Sequence, residues 1–542
     1  MHVVASHPFA GQQPGTSGLR KKVTVFQQPH YLENFIQAVF TAVPALVGAT
    51  LVVGGDGRFF NLQATQTIIK MAAANGVAKV IVGAGGLLST PAASALIRQR
   101  HAAGGLILSA SHNPGGADGD FGVKFNSANG GPAPAAVTDA IYAASLEIDS
   151  YRTVASADLE LDKLGSQQIA AMQVEVVDPV ADYAELMASL FDFAAIARLL
   201  AKPDFKFVFD AMHAVTGPYA EEIFTRRLGL PSQQLLNCQP QLDFGGGHPD
   251  PNLAHAGDLI AALAGVGEFA LAAASDGDGD RNMVLASELF INPCDSIALL
   301  AANAHCVPAY REGLAGVARS MPTSRALDRV AAKLQLPCYE TPTGWKYFGS
   351  LLDAGKITLC GEESFGSGSD HIREKDGLWA VLFWLNIIAV RGLSPRQLLA
   401  EHWTEYGRDF FSRHDYEGLP SDDARSLLAD LHQPSQPLVG RRWGALTLLQ
   451  LESFTYTDPV DNSRADKQGL IFTFEDDSRA VLRLSGTGTS GATLRLYFDR
   501  YSSDSAQYWL APQQALAATI AAISELLQLE QRFGRHHPDV IT

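Results

Sequence analysis

Three times along this chain a short, unbroken apolar run empties directly into a loop crowded with hydroxyls or carboxylates. Residues 105–110 (GLILSA) lead into SHNPGG, 269–275 (FALAAAS) into DGDGDR, and 357–360 (ITLC) into GEESFG. Runs that are apolar throughout, rather than at alternate positions, mark strands covered on both faces, which requires helices on either side of a largely parallel sheet. In open α/β sheets ligands collect beyond the carboxyl ends of strands. Three such loops can therefore converge on one cleft.

The strand–helix alternation recurs. LVVGG (51–55), KVIVGA (79–84) and GLILSA are strands separated by the helical stretches QATQTIIKMAAANG and STPAASALIRQRHA. KFVFDAM (206–212) and FALAAAS flank PYAEEIFTRRLG, and VARSM (317–321) precedes SRALDRVAAKLQ and ITLCG. After about residue 400 the order changes to a run of strands (ALTLLQLESF, GLIFTFED, AVLRLSG, ATLRLYFD) closed by one long helix over 511–532. The prediction is an α/β protein of four domains: three related α/β units with mixed or parallel sheets, then a smaller C-terminal α+β domain, around a central cleft. With 542 residues the chain exceeds what one core serves, and the expected divisions are 1–185, 186–292, 293–400 and 401–542.

Net charge is −16, which argues against a nucleic-acid partner and requires that any anionic substrate meet a local cluster of cations. Five cysteines without a CxxC pair fit a reducing compartment. The N-terminal MHVVASHPFAGQQPG lacks an apolar core of signal-peptide length. The run from Leu378 to Val390 is too short to span a bilayer and reads as a helix buried on all sides. The expectation is a cytoplasmic protein without a membrane partner, monomeric or weakly homo-oligomeric, acting on small molecules.

In SASHNPGG the turn-forming Asn113-Pro114-Gly115-Gly116 presents the Ser111 hydroxyl, with His112 beside it and Lys124 shortly after; a plain turn is the bland alternative. Such a hydroxyl needs a neighbour to activate it. DGDGDR sets Asp276, Asp278 and Asp280 at every second position, a ligand set for a hard cation. It is not an EF-hand loop, since Arg281 and Ser287 stand where that loop requires Gly and Glu. RLSGTGTSG contains a literal GxGxxG, yet a strand rather than a helix follows, so the dinucleotide reading fails. Its glycines, the hydroxyls of Ser485, Thr487 and Thr489, and the flanking Arg483 and Arg495 suit an anion. Glu362, Glu363 and Ser364 in GEESFG are groups that grip sugar hydroxyls, and Lys375 lies at the polar end of the buried helix.

Taken with PGTSGLRKKV, VVGGDGRF, HPDPNLAHA, ETPTGWKYFGSL and GEESFGSGSDHIREKDGLWAVL, these segments resemble the α-D-phosphohexomutase superfamily, phosphoglucomutase branch, over nearly the whole chain. The resemblance implies four domains around a deep cleft and interconversion of glucose 1-phosphate and glucose 6-phosphate. Ser111 would carry the phosphoryl group, with glucose 1,6-bisphosphate as the activating intermediate. One Mg²⁺ would be bound by Asp276, Asp278, Asp280 and the phosphorylated Ser111. Arg20 and Arg281 would flank the phosphoserine. Thr343, Gly344, Glu362 and Ser364 would recognise the sugar, while Arg483, Ser485, Thr487, Thr489 and Arg495 would hold the non-transferred phosphate. His112, Lys124 and Lys375 are candidates for proton transfer. GEESFG, rather than a GEQSGH- or GEMSGH-like loop, favours glucose phosphates. A phosphomannomutase or other phosphohexomutase, and a non-catalytic scaffold with the same fold, remain alternatives.

Overall fold

The computed structural model describes the chain except for residues 16, 268, 288, 434–436 and 486–490. Three α/β units share one local design. In the first, Gly104–Leu108, Thr50–Gly55, Lys79–Leu87 and Met172–Val177 lie parallel, and Leu19–Lys22, Asp120–Ser127 and Gly165–Ile169 add antiparallel edges. The second sheet runs Leu235–Leu236, Lys206–Asp210, Ala270–Ser275, Asn282–Ala286, Leu289–Ile291, and the third Cys338–Thr341, Val317–Ser320, Leu359–Gly361, Ser367–Ser369.

In each unit the chemistry-bearing loop follows a strand that lies parallel to a neighbour. It then returns as an antiparallel strand: 104–108 to 120–127, 270–275 to 282–286, and 359–361 to 367–369. The return strand fixes both ends of each loop, so the loops are held by the sheet rather than left to fray. The C-terminal unit is an antiparallel sheet of seven strands, in which Ala492–Ser502 lies between Arg479–Ser485 and Arg408–Leu419.

The first three units share a core. The helix Gly377–Arg391 is buried from Gly377 through Ile388, and its Trp379, Trp384 and Phe383 join one apolar cluster that reaches Ile107 in the first unit and Phe209 in the second. Asp376 caps this helix, its carboxylate accepting from Trp379 N–H, and Gly392 closes it at φ 65. The last turn departs from the expected burial, because Val390 is 52% exposed. Among the described residues no single helix is long and apolar enough to cross a membrane, although Gly377–Arg391 and Pro395–Tyr406, bent by 85°, together meet that length and composition.

One expectation is corrected. The closing helix is not continuous over 511–532: it breaks into Pro512–Ala515, Ala517–Leu527 and Leu529–Phe533, with Gln528 left-handed at φ 54. The divisions at 185 and 400 fall inside the continuous helices Ala181–Leu190 and Pro395–Tyr406. Asn292 lies between the strand Leu289–Ile291 and the helix Pro293–Ala302.

Candidate active site

Ser111 sits at the end of Gly104–Leu108 with a left-handed backbone, φ 52, a conformation that costs a non-glycine residue about 1–3 kcal/mol. Its neighbours hold it there. Ser111 N–H donates to Ser109 Oγ at 2.7 Å, and Ser109 Oγ donates to Asp56 Oδ2 at 2.6 Å. Asp56 is paired with the fully buried Arg58, which donates through Nη2 to the Ser111 carbonyl at 2.6 Å. The Ser111 hydroxyl is thereby aimed at the second unit, where it donates to Asp276 Oδ2 at 2.9 Å. His112 Nδ1 lies 3.4 Å from the same hydroxyl.

The carboxylates of Asp276, Asp278 and Asp280 are buried, and one oxygen from each lies within 4.8 Å of the others. Two glycines make this approach possible. A Cβ at Gly277 would stand 2.4 Å from the Ser111 carbonyl oxygen, and Gly279 takes φ 83. Asp276 Oδ1 accepts from the N–H groups of Asp280 and Arg281, Asp278 Oδ2 accepts from Thr90 Oγ at 2.6 Å, and Asp280 Oδ2 pairs with Lys375 Nζ at 2.9 Å. Asp278 Oδ1 and Asp280 Oδ1 find no partner among the described residues.

Burial, then repulsion from Asp280 and Asp278, pushes the Asp276 carboxyl well above the usual range. Burial acts on Asp278 in the same direction, but Lys124, the Thr90 hydrogen bond, Lys375 and Arg20 outweigh it and hold that carboxyl low. Buried oxygens without donors, set among mutually repelling carboxylates, fit a hard divalent cation.

Around this cluster lies a polar cavity of about 250 Å³ to which all four units contribute: Arg20 and His112, Arg281, Thr343 and Glu362, and Arg495. Gly344, Ser364, Lys124, Lys375 and Arg483 also line it. Gly344 N–H donates to Glu362 Oε1 at 3.2 Å, joining the two segments expected to read the sugar. Burial raises the Glu362 carboxyl despite Lys375 nearby. Lys375 is pushed up to about 12, because Asp280 and Glu362 outweigh burial and Arg281. His112 moves far the other way, through burial and the positive charges of Arg281 and Arg20, so its imidazole is neutral at pH 7.

On the C-terminal sheet Arg483 and Arg495 stand directly opposite each other on adjacent strands, and both reach the cavity. Like charges in that position destabilise a sheet unless an anion sits between them. Ser485 ends its strand opposite Thr493 and is not among the residues that line the cavity. Thr487 and Thr489 lie outside the described residues. A roomier cavity of about 430 Å³, walled by Leu253, Phe290, Trp403, Trp509 and Ile541 with Arg408, is mainly apolar and suits a phosphorylated sugar less well.

Four family models match in succession: phosphoglucomutase/phosphomannomutase alpha/beta/alpha domain I over residues 11–152, domain II over 181–288 and domain III over 293–406, then the phosphoglucomutase-1 C-terminal domain over 408–539. The chain belongs to the phosphoglucomutase/phosphomannomutase family. It is 55% identical to a phosphoglucomutase of Rhizobium radiobacter over 539 residues, 99% of each chain. It is 50% identical to human phosphoglucomutase-1 over 557 residues, again 99% of each. The crystal structure of the exocytosis-sensitive phosphoprotein pp63/parafusin, a phosphoglucomutase from Paramecium in its open form, superposes with a TM-score of 0.92 at 46% identity, covering 100% of this chain and 99% of that one.

Several groups at this family member's cleft escaped the sequence reading. Arg413 and Tyr497 line the cavity from the C-terminal sheet, and Glu374 lines it while accepting from Lys124 Nζ at 2.7 Å. Arg413 lies in a strand before any recognisable loop, so only the β-pairing Arg413↔Tyr497 brings it to the site. Asp56 and Arg58 act through the Ser111 backbone, a contact 53 residues long in sequence that no local pattern announces.

Proposed function

We propose that this chain interconverts glucose 1-phosphate and glucose 6-phosphate, with Ser111 as the phosphoryl carrier and glucose 1,6-bisphosphate as the intermediate. The observation that carries the reading is the Ser111 hydroxyl, fixed 2.9 Å from Asp276, next in sequence to His112, which lines one cavity together with Asp280, Arg483 and Arg495. Phosphorylated Ser111 donates its phosphoryl group to the free hydroxyl of a bound hexose monophosphate. The bisphosphate then turns end for end, and the other phosphate returns to Ser111. One anion site must accept either phosphate, which a guanidinium cluster with several donors does without regard to what the phosphate is attached to.

Asp276, Asp278, Asp280 and a phosphoryl oxygen on Ser111 would hold Mg²⁺. The ion supplies charge neutralisation on the transferring oxygens when bound. Arg20 and Arg281 add positive charge from the protein on the same side. Their Nε groups are buried and find no partner among the described residues. Glu362 and Ser364, with Thr343 and Gly344, orient the sugar. Lys375, protonated through neutral pH, suits proton donation to the departing oxygen. The neutral His112 suits proton acceptance, while Lys124 is engaged by Glu374, to which its Nζ donates.

The domain divisions that fit the helices lie near 180, 292 and 407. All five cysteines are free thiols, which supports a reducing, cytoplasmic setting. A coupled assay with glucose 1-phosphate, plus and minus Mg²⁺, tests the function. Turnover that requires Ser111 supports it, and an inert protein that still binds hexose phosphates would favour a scaffold role instead.

A further inference from the structure

A second group of ligating side chains stands beside the serine loop, on the 248–255 segment of the second unit. His248, Asp250 and His255 each offer one ligand atom, all within 4.8 Å of one another. The segment is tightly turned: Asp250 N–H donates to the His248 carbonyl at 2.8 Å, Asn252 N–H to that of Asp250 at 2.8 Å, and His255 N–H to that of Asn252 at 3.1 Å. These bonds bring residues seven apart together, with the two imidazoles stacked at a centroid distance of 4.5 Å and 11° between planes.

His248 Nδ1 is buried and has no partner among the described residues. Asp250 is engaged through Oδ2 by Asn252 at 2.8 Å and faces Arg281 Nη1 at a loose 3.4 Å through Oδ1.

We infer that His248, Asp250 and His255 form a binding site for a divalent transition metal of the zinc class, separate from the three aspartates. The donor set decides the class. Two imidazoles and one carboxylate favour zinc-like ions over magnesium, which prefers oxygen ligands alone. Closing the set onto an ion with bonds of about 2.0–2.2 Å requires the ligands to draw inward, and His255 is exposed and free of the core, so its side chain can make that move. Metal binding also takes Asp250 from Arg281. Because Arg281 borders the proposed phosphoryl-transfer centre, zinc at this site lowers turnover; that consequence, unlike the binding itself, rests on the mutase reading.

The test is equilibrium dialysis of the full-length protein against Zn²⁺ in saturating Mg²⁺, counting bound zinc per chain. The His255→Ala variant should bind one zinc fewer than the unmodified protein, or bind that one at least about 10-fold more weakly. His255→Gln, which preserves side-chain bulk, should behave the same. An unchanged count and affinity in both variants overturns the site. Turnover in the same samples separates the two claims. A lost zinc with unchanged zinc sensitivity of turnover overturns only the link to Arg281, whereas reduced sensitivity in both variants supports it.

Discussion

At the residue scale the account rests on a serine held in a costly backbone conformation by its neighbours. Ser111→Ala should lower turnover of glucose 1-phosphate by roughly 10⁴-fold or more, as loss of a nucleophile does elsewhere; a near-normal rate would remove Ser111 from its role. Arg58→Met tests the support beneath it. The variant leaves the buried Asp56 without its partner and the Ser111 carbonyl without a donor, a loss of about 3–5 kcal/mol of stability for breaking such a pair. Chemical denaturation should read that loss, and an unchanged midpoint would show that the clamp is dispensable. The Ser111 hydroxyl and the aspartates were legible in the sequence, because loop residues spaced by glycines advertise their chemistry locally, whereas Arg20, in the strand Leu19–Lys22, was reached only through the family resemblance. Arg58, Arg413 and Glu374 were not legible. Each reaches the site through a contact or a strand pairing from a distant part of the chain, as Lys124 reaches Glu374 across 250 positions.

At the scale of elements, the buried helix Gly377–Arg391 depends on one side chain. Asp376 accepts from Trp379 N–H at 3.0 Å, from Tyr183 Oη at 2.6 Å, and lies 3.0 Å from His371 Nε2. An ordinary N-cap contributes about 1 kcal/mol. Asp376→Ala also orphans a buried tyrosine hydroxyl and a histidine, so the expected loss is larger, about 3 kcal/mol. Urea unfolding measures it, and a loss of 1 kcal/mol or less would mean that the network adds nothing to the cap. The strands and helices of the three α/β units were readable from apolar runs, since burial on both faces writes itself into composition. The return strands after each loop were not. GVKF and NMVL are too short and too mixed to separate from loop, and pairing to the preceding strand is what makes them strands. The broken closing helix was missed for a related reason: Gln528 adopts a left-handed turn although nothing in its residue type demands one.

At the scale of the whole molecule, Arg408 at the start of the fourth unit shares a cavity wall with Asp295 of the third. This buried carboxyl accepts from Trp403 Nε1 at 3.3 Å and is pushed up to about 6, chiefly by burial. Its folded-state pKa exceeds the unfolded value, so its contribution is fully present below about pH 4 and is lost as pH rises through 6. Asp295→Asn should therefore be more stable than the unmodified protein at pH 7.5, by about 3 kcal/mol, with the advantage fading toward pH 4. Unfolding at the two pH values checks the sign, and an advantage that grew on acidification would contradict it. The C-terminal unit also closes the cavity with its arginines. Arg495→Ala should raise the KM for glucose 1-phosphate about 10-fold or more while leaving Mg²⁺ affinity unchanged; an unaltered KM would place the anion elsewhere. The claim beneath all of this is that four separated segments make one serine hydroxyl a reversible phosphoryl carrier. Intact-mass measurement after incubation with glucose 1,6-bisphosphate tests it most directly. One added phosphoryl group, mapped to Ser111 and absent from Ser111→Ala, is the predicted result, and a protein that gains none, or gains it at another residue, contradicts the account.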